Sequence, residues 1–348
     1  MMRYIGNKEN LLDKIYQTMI DRGIDGNSFF DFFSGTTSVA RFFKKRNYQI
    51  FSSDLLYFSF VLQKAYIENN QDLTFSKLLK NIDCKAHSLL PTPLETIVQH
   101  LNLIPDKQGF IYENYTPAGG RMYYSEENGF RIDAIRQQIE NWKKARLLTE
   151  NEYFVLLACL VETIPYYANV AGVYAAFHKK WDPRATKRLV LRPIEMLVND
   201  KKNFVYHTDS VSLIPKIEAD IFYLDPPYNQ RQYASNYHLM ETIAKYDNPE
   251  IKGITGLRAN YEKEKSKFCN ATTAMQELKK IAENGKFKTM ILSYNNDGIM
   301  TETEILSILD KIGAVELIEF DYTRFKSNSN GKNRHKKYIK EQLYILKK

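Results

Sequence analysis

Apolar positions recur at helical spacing through Leu11, Leu12, Ile15, Met19 and Ile20, and predict an opening helix. Ser28-Phe29-Phe30-Asp31-Phe32-Phe33 is a short apolar run of the kind that forms a buried strand. Ser34-Gly35-Thr36-Thr37-Ser38 breaks it, and Val39–Phe43 begins a helix with Ser and Thr available as N-caps. A second strand follows over Gln49–Ser53 and ends at Asp54, and Leu55–Ile67 reads as a helix. Residues 28–69 are thus strand, turn, helix, strand, helix, the start of a doubly wound α/β sheet.

From 70 to about 195 strand alternation is weak, and the pattern is helical over Arg131–Leu147 and Glu150–Thr163. Gly- and Pro-bearing loops such as Tyr115-Thr116-Pro117-Ala118-Gly119-Gly120 separate these stretches. The α/β pattern then returns. Strands are expected at Asn203–His207, Asp220–Leu224 and Thr289–Ser293, and helices at Met275–Ala282 and Thr303–Lys311. Val315–Tyr322 and Gln342–Leu346 are expected to pair as a hairpin. The expected organisation is a discontinuous catalytic domain, 1–69 and 196–348, interrupted by a mostly helical insertion, 70–195.

A length of 348 residues agrees with about two domains. The apolar run Phe154–Leu160 falls far short of the ~20 residues of a membrane span. Met1–Asn10 lacks an apolar signal core, so a cytoplasmic location is expected. Cys84, Cys159 and Cys269 form no CxxC, and no two His stand at ligand spacing, so neither disulfides nor a metal are expected. The net charge of +8 favours a polyanionic partner.

Asp225-Pro226-Pro227-Tyr228 closes an apolar strand, and ligands of parallel sheets sit at the carboxyl ends of strands. Two prolines fix the backbone and remove two N–H donors, which leaves the Asp225 carboxylate and the Pro226 carbonyl as acceptors. Two acceptors match the two hydrogens of an exocyclic amino group, and Tyr228 offers a face for a base to stack on. Asp31 to Thr36 forms a strand, a small-residue turn and a helix start where a nucleotide-like ligand can approach the backbone. With one Gly it is neither a dinucleotide fingerprint nor a Walker loop. Asp54, about twenty residues on, stands where a carboxylate binds ribose in Rossmann-type sites.

Tyr4-Ile5-Gly6-Asn7-Lys8, Asp31-Phe32-Phe33-Ser34-Gly35-Thr36 and Asp225-Pro226-Pro227-Tyr228, in this order, resemble the Dam-type (alpha group) adenine-N(6) DNA methyltransferases. The longer string from Asp225 to Ile243 is similar to the FokI and NlaIII methylase branch of restriction-modification systems. Phe32 departs from the family's Asp-Pro-Phe-x-Gly, while Gly35 is kept. The resemblance implies a Rossmann-like methyltransferase sheet with an inserted target-recognition domain, and S-adenosylmethionine as cofactor. It implies cofactor contacts from Tyr4, Lys8, Asp31, Gly35, Asp54, Asp209 and Asp225, and catalysis by Asp225, Pro226, Pro227 and Tyr228. It further implies double-stranded DNA as substrate, a flipped target adenine and a possible cognate endonuclease.

Two basic runs are candidate DNA contacts: Lys179, Lys180, Arg184 and Lys187, with Arg188 and Arg192, and a second holding Lys332 and Arg334. Arg231, Gln232 and Tyr233 directly follow the tetrad and are expected to shape the flipped-base pocket or to fill the vacated stack. Arg121 and Arg131 are further candidate base readers. The stretch Tyr166–His178 suits core packing better than DNA contact. RNA adenine and glutamine amides are alternative methyl acceptors, and a silent DNA-binding module is the non-enzymatic alternative. Asn in place of Asp225 would be usual for glutamine enzymes, and Ser for cytosine-N(4) enzymes.

Overall fold

The computed structural model describes residues 4–82, 92–323 and 338–348. The chain folds into two compact units: Met1–Ile5, Lys64–Val198 and Ala234–Lys263 form one, and Gly6–Gln63, Asn199–Tyr233 and Glu264–Lys348 the other. Strands are numbered in chain order: β1 (Ser28–Asp31), β2 (Gln49–Asp54), β3 (Phe204–His207), β4 (Ile221–Leu224), β5 (Ile251–Lys252), β6 (Leu257–Arg258), β7 (Thr289–Asn295), β8 (Ala314–Thr323) and β9 (Tyr338–Lys347).

The second unit is a mixed α/β structure around a seven-stranded, mainly parallel sheet of order β3-β2-β1-β4-β7-β9-β8. β1 pairs in parallel with β2 (Phe30 opposite Phe51) and with β4 (Phe30 opposite Phe222). β9 runs antiparallel between β7 and β8, with Ile345 opposite both Ile291 and Glu316. The strands β4 and β7 are buried along their whole length, which is why β4 reads as an unbroken apolar run and β7 carries Met290-Ile291-Leu292 at its centre. One layer of the core joins Phe30, Phe32, Phe222, Leu224, Met290 and Leu292. Phe29 stacks on Phe43 of helix Ser38–Lys44, with ring centroids 3.9 Å apart. The chain winds outward from β1 through β2 to β3, and in the other direction from β4 to β7. The switch point therefore lies between β1 and β4, where an open α/β sheet forms its crevice.

This sheet is the architecture the pattern of strands and helices predicted, and the expected hairpin pairs as β8 and β9. The second basic run falls between them in the sequence, and Lys332 and Arg334 lie outside the described residues.

The other unit is largely helical. Helix Pro93–Leu103 starts with a capping box, Thr92 with Glu95, and Pro93 in the first turn; helix Glu150–Thr163 starts likewise with Thr149 and Glu152. Helix Glu126–Lys144 begins five residues before the expected Arg131, because Ser125 caps it by accepting from the Asn128 amide. Its Arg131 is buried, and its guanidinium donates to the Leu101 and Ile104 carbonyls and to Asp106. A side chain spent this way is a fastener, not the base reader considered above.

Helix His238–Lys245 and the hairpin β5–β6 also belong to this unit. The hairpin loop is held by side chains. Arg121 donates to the Gly253 and Ile254 carbonyls, Tyr123 to that of Thr255, and Tyr115 to that of Gly256. Arg121 also binds the Asn114 and Gly119 carbonyls, so its fork is likewise structural. Within Tyr166–His178, Tyr167, Ala168, Asn169 and Val170 are buried, and Asn169 ties Met122, His178 and Asp182 together. The expected core packing therefore holds for 167–170 and for Tyr174, whereas Tyr166, Ala171, Ala175 and Ala176 are exposed. No helix among the described residues is long and apolar enough to cross a membrane.

Candidate active site

β4 delivers Asp225 to the carboxyl edge of the sheet, beside the end of β1. Pro226 and Pro227 are buried, and the Tyr228 carbonyl accepts from the Ile299 amide at 3.1 Å, which closes the turn. Lys8 Nζ lies 3.3 Å from Asp225 Oδ1 and also bonds Glu341 on β9. Among the described residues no other donor reaches the Asp225 carboxylate, and none reaches the Pro226 carbonyl. Gly6, at φ +77°, lets the N-terminal turn run close to Tyr228 and Tyr233: a Cβ there would stand 3.5 Å from Tyr228 Cε1 and 3.4 Å from the Tyr233 hydroxyl. Both rings are half-buried. Arg231 is exposed, with its amide bonded to the Asn229 side chain. Gln232 exchanges two hydrogen bonds with the Ser266 backbone and pins the segment after the tetrad.

The loop after β1 is folded by its small residues. Gly35 adopts φ +49°, and Thr37 stands at the N-cap of helix Ser38–Lys44 at φ +64°, where its hydroxyl donates to the Thr36 carbonyl and makes no capping bond. The Ser34 amide donates to the Ser53 carbonyl, and the Gly35 amide donates to Asp54 Oδ2 at 2.8 Å. Asp54 Oδ1 accepts from the Leu56 amide at 2.9 Å. Asp209 caps the short turn Ser210–Leu213 by accepting from the Val211 amide, and Lys267 Nζ stands 3.9 Å away. Tyr4 stacks on Tyr237 at 4.6 Å within the other unit, and the Ile5 amide beside it donates to the Tyr237 hydroxyl.

The electrostatics at the switch point are one-sided. Asp31 is 1% exposed, and neither of its oxygens has a hydrogen-bond partner among the described residues. Burial pushes its pKa up to about 7, and the charges of Asp225 and Asp54 add to the rise; the nearby Phe33 amide and Ser34 hydroxyl draw it only partly back. Asp225 is pushed up to about 7, by burial first; Lys8 opposes the rise and Glu341 adds to it. Burial disfavours the Lys8 charge, but Asp225 and Glu341 outweigh it and hold Lys8 protonated, above its ordinary pKa. Asp225 and Glu341 thus share the charge of a single lysine, and the charges acting on Asp31 are those of two further acids, Asp225 and Asp54. Such a cluster, at the crevice of an α/β sheet, is built to receive a cation.

Residues 4–308 match a protein family described as D12 class N6 adenine-specific DNA methyltransferase. The chain belongs to that family. Among its relatives, this D12 member is 43% identical, over 94% of its length, to the type II methyltransferase M.FokI of Planomicrobium okeanokoites, and covers 50% of that protein. It is 39% identical over its whole length to the modification methylase StsI of Streptococcus sanguinis, and covers 52% of it. With the type II methyltransferase M.NlaIII of Neisseria lactamica it shares 37% identity, over 100% of this chain and 99% of the relative. The D12 chain thus spans about half the length of the first two and nearly all of the third.

The sequence-predicted residues of this D12 chain divide by unit. Lys8, Asp31, Gly35, Asp54, Asp209, Asp225–Tyr228, Arg231 and Tyr233 fall in the sheet unit, and Tyr4, Lys179, Lys180, Arg184 and Lys187 in the helical one. Lys179, Lys180 and Lys187 are exposed, whereas Arg184 grips Asp182 through Nη2 at 2.6 Å and Nε at 3.2 Å. Sequence reasoning missed Glu341. Its signal was an acid heading the apolar run Leu343–Leu346, but its partner Lys8 lies 333 positions away.

Proposed function

We propose that the chain transfers a methyl group from S-adenosylmethionine to the exocyclic amino group of a flipped adenine in double-stranded DNA, as the protective member of a restriction-modification pair. The observation that carries the reading is the Asp225-Pro226-Pro227-Tyr228 turn at the switch point, facing the buried Asp31 carboxylate that lacks a partner. The cofactor fits what is there: it brings a sulfonium and an ammonium to a crevice whose carboxylates outnumber its lysine. When bound it supplies an electrophilic methyl group.

The protein's part is to bind and orient. Asp31 receives the ammonium, Asp54 the ribose, and the Ser34–Thr37 loop lets the ligand pass close to the backbone. Tyr4, Lys8, Asp209 and Asp225 complete the proposed cofactor set. The Asp225 carboxylate and the Pro226 carbonyl accept the two amino hydrogens. That favours a tetrahedral nitrogen whose lone pair, otherwise spread into the ring, points at the methyl carbon. In-line placement then supplies much of the rate. Extrusion of the adenine costs a few kcal/mol, part of which stacking on Tyr228 returns. Arg231 and Tyr233 line the vacated stack, Lys179, Lys180, Lys187, Lys332 and Arg334 contact phosphates, and Arg184, held by Asp182, contributes less to that contact. The mostly helical segment 70–195 serves as the target-recognition domain.

Transfer of labelled methyl from S-adenosylmethionine to duplex DNA, RNA and protein tests the assignment. Label recovered as N6-methyladenine in duplex DNA is the expected result; label only on RNA or protein would reject it.

A further inference from the structure

We propose that Glu341 is a positioning residue for methyl transfer: through Lys8 it holds Asp225 so that one carboxylate oxygen stays free to accept a hydrogen from the target amino group. The proposal rests on the function proposed above and adds a residue that reading does not use.

Lys8 Nζ is shared unequally. It bonds Glu341 closely and stands 3.3 Å from Asp225 Oδ1. Glu341 Oε1 is itself fixed by the Ser293 hydroxyl at 2.9 Å. The strand pairing brings these groups to one edge. Leu224, which precedes Asp225, lies opposite Leu292, and Asn295 lies opposite Glu341. Lys8 and Glu341 are 4% and 3% exposed. Burying such a pair is costly and is weak evidence of stabilisation in itself. Nor does β9 need it as an anchor, because it already pairs with β7 from Lys347 to Glu341 and with β8 along its whole length.

The arrangement does have a consequence for Asp225. A lysine belonging to Asp225 alone would neutralise the carboxylate and weaken it as an acceptor. A lysine drawn toward Glu341 orients Asp225 through Oδ1 and leaves it electron-rich. The charged or titratable groups around Asp225 are Lys8 on the N-terminal turn, Glu341 on β9, Asp31 on β1 and Tyr223 on β4, with Tyr228 beside Lys8. In Glu341→Gln, Lys8 turns wholly to Asp225, and the carboxylate loses a repelling neighbour. Both changes lower the Asp225 pKa and its strength as an acceptor. Asp31 is governed by burial, Asp225 and Asp54, and is not relieved directly.

The test is the pH profile of kcat for the full chain, on duplex DNA to which the wild type transfers labelled methyl. If the wild type methylates no DNA adenine, the functional reading itself has failed, and that outcome is separate from those below. Glu341→Gln is expected to lower kcat roughly 10- to 100-fold. Both KM values should stay within about threefold, and the acid limb should move about half a unit or more to lower pH. Glu341→Asp, which keeps the charge, should leave the limb near its wild-type position. Ser293→Ala covers the case in which Glu341→Gln does not fold. It releases Glu341 to pull harder on Lys8, and should move the limb to higher pH. An unmoved limb in Glu341→Gln, a defect confined to KM, or a limb displaced to lower pH in Ser293→Ala would overturn the proposal.

Discussion

Asp31 and Asp225 show how a single charge can be held ready for a ligand. Neither carboxylate has an adequate counter-charge of its own, and each is pushed up to about 7. In the folded chain Asp31 keeps its proton up to about pH 7, whereas in the unfolded chain it releases it near 3.8. The native state therefore binds more protons between those values, and the Asp31 contribution to stability falls as pH rises through that window. Asp31→Asn removes this loss. Its advantage over the wild type in ligand-free thermal unfolding should be near nil at pH 4 and grow to roughly 1–3 kcal/mol at pH 8. An advantage that stays flat or shrinks with pH would show that Asp31 is not a strained carboxylate. The same variant should bind S-adenosylmethionine more weakly in calorimetry. Asp225→Ala should reduce single-turnover transfer by roughly 10^2- to 10^3-fold or more, with DNA affinity changed only a few-fold in a binding titration. Retained turnover would remove Asp225 from the chemistry.

At the scale of elements, what the sequence disclosed follows from how local the causes are. β1 and β4 were legible because each is an apolar run stopped by residues that break a strand, Ser34-Gly35 and Pro226-Pro227, and β2 because the strand-helix alternation around it leaves Gln49–Asp54 as the next strand. Helix Glu150–Thr163 was legible to the residue because the capping pair Thr149 and Glu152 directly precedes a long run of apolar helix formers, buried on every side. The β5–β6 hairpin was not, since its strands are two residues long and its loop is shaped by Tyr115, Arg121 and Tyr123, more than a hundred positions earlier. Glu341 was hidden for the same reason. In the turn after β1, Gly35 at φ +49° aims its amide at Asp54. Gly35→Ala should cost about 1 kcal/mol in thermal unfolding and weaken cofactor binding. A variant as stable as the wild type would mean that the turn does not need the left-handed geometry.

For the molecule as a whole, the charge of +8 was the first pointer to DNA, but the charge is not uniformly available. Arg184 is engaged by Asp182, and Arg188 by Asp106 and Glu127, whereas Lys179, Lys180 and Lys187 are exposed. Replacing each of those lysines with Ala should weaken DNA binding for every sequence alike and reduce the slope of log K against log salt by roughly 0.9 for each phosphate no longer neutralised. Arg184→Ala should change the slope less and loosen its loop instead. Equal slopes for all variants would place the DNA elsewhere.

The insertion of β9 between β7 and β8 carries a consequence for biosynthesis. A nascent chain exposes β8 while its neighbour in the finished sheet is still being translated, and β7 waits for the same strand. These are distant pairings of the kind that close slowly. The acid that draws Lys8 toward itself arrives on that late strand, so a ribosome-bound intermediate can build the crevice between β1 and β4 before the charge balance of Asp225 is in place.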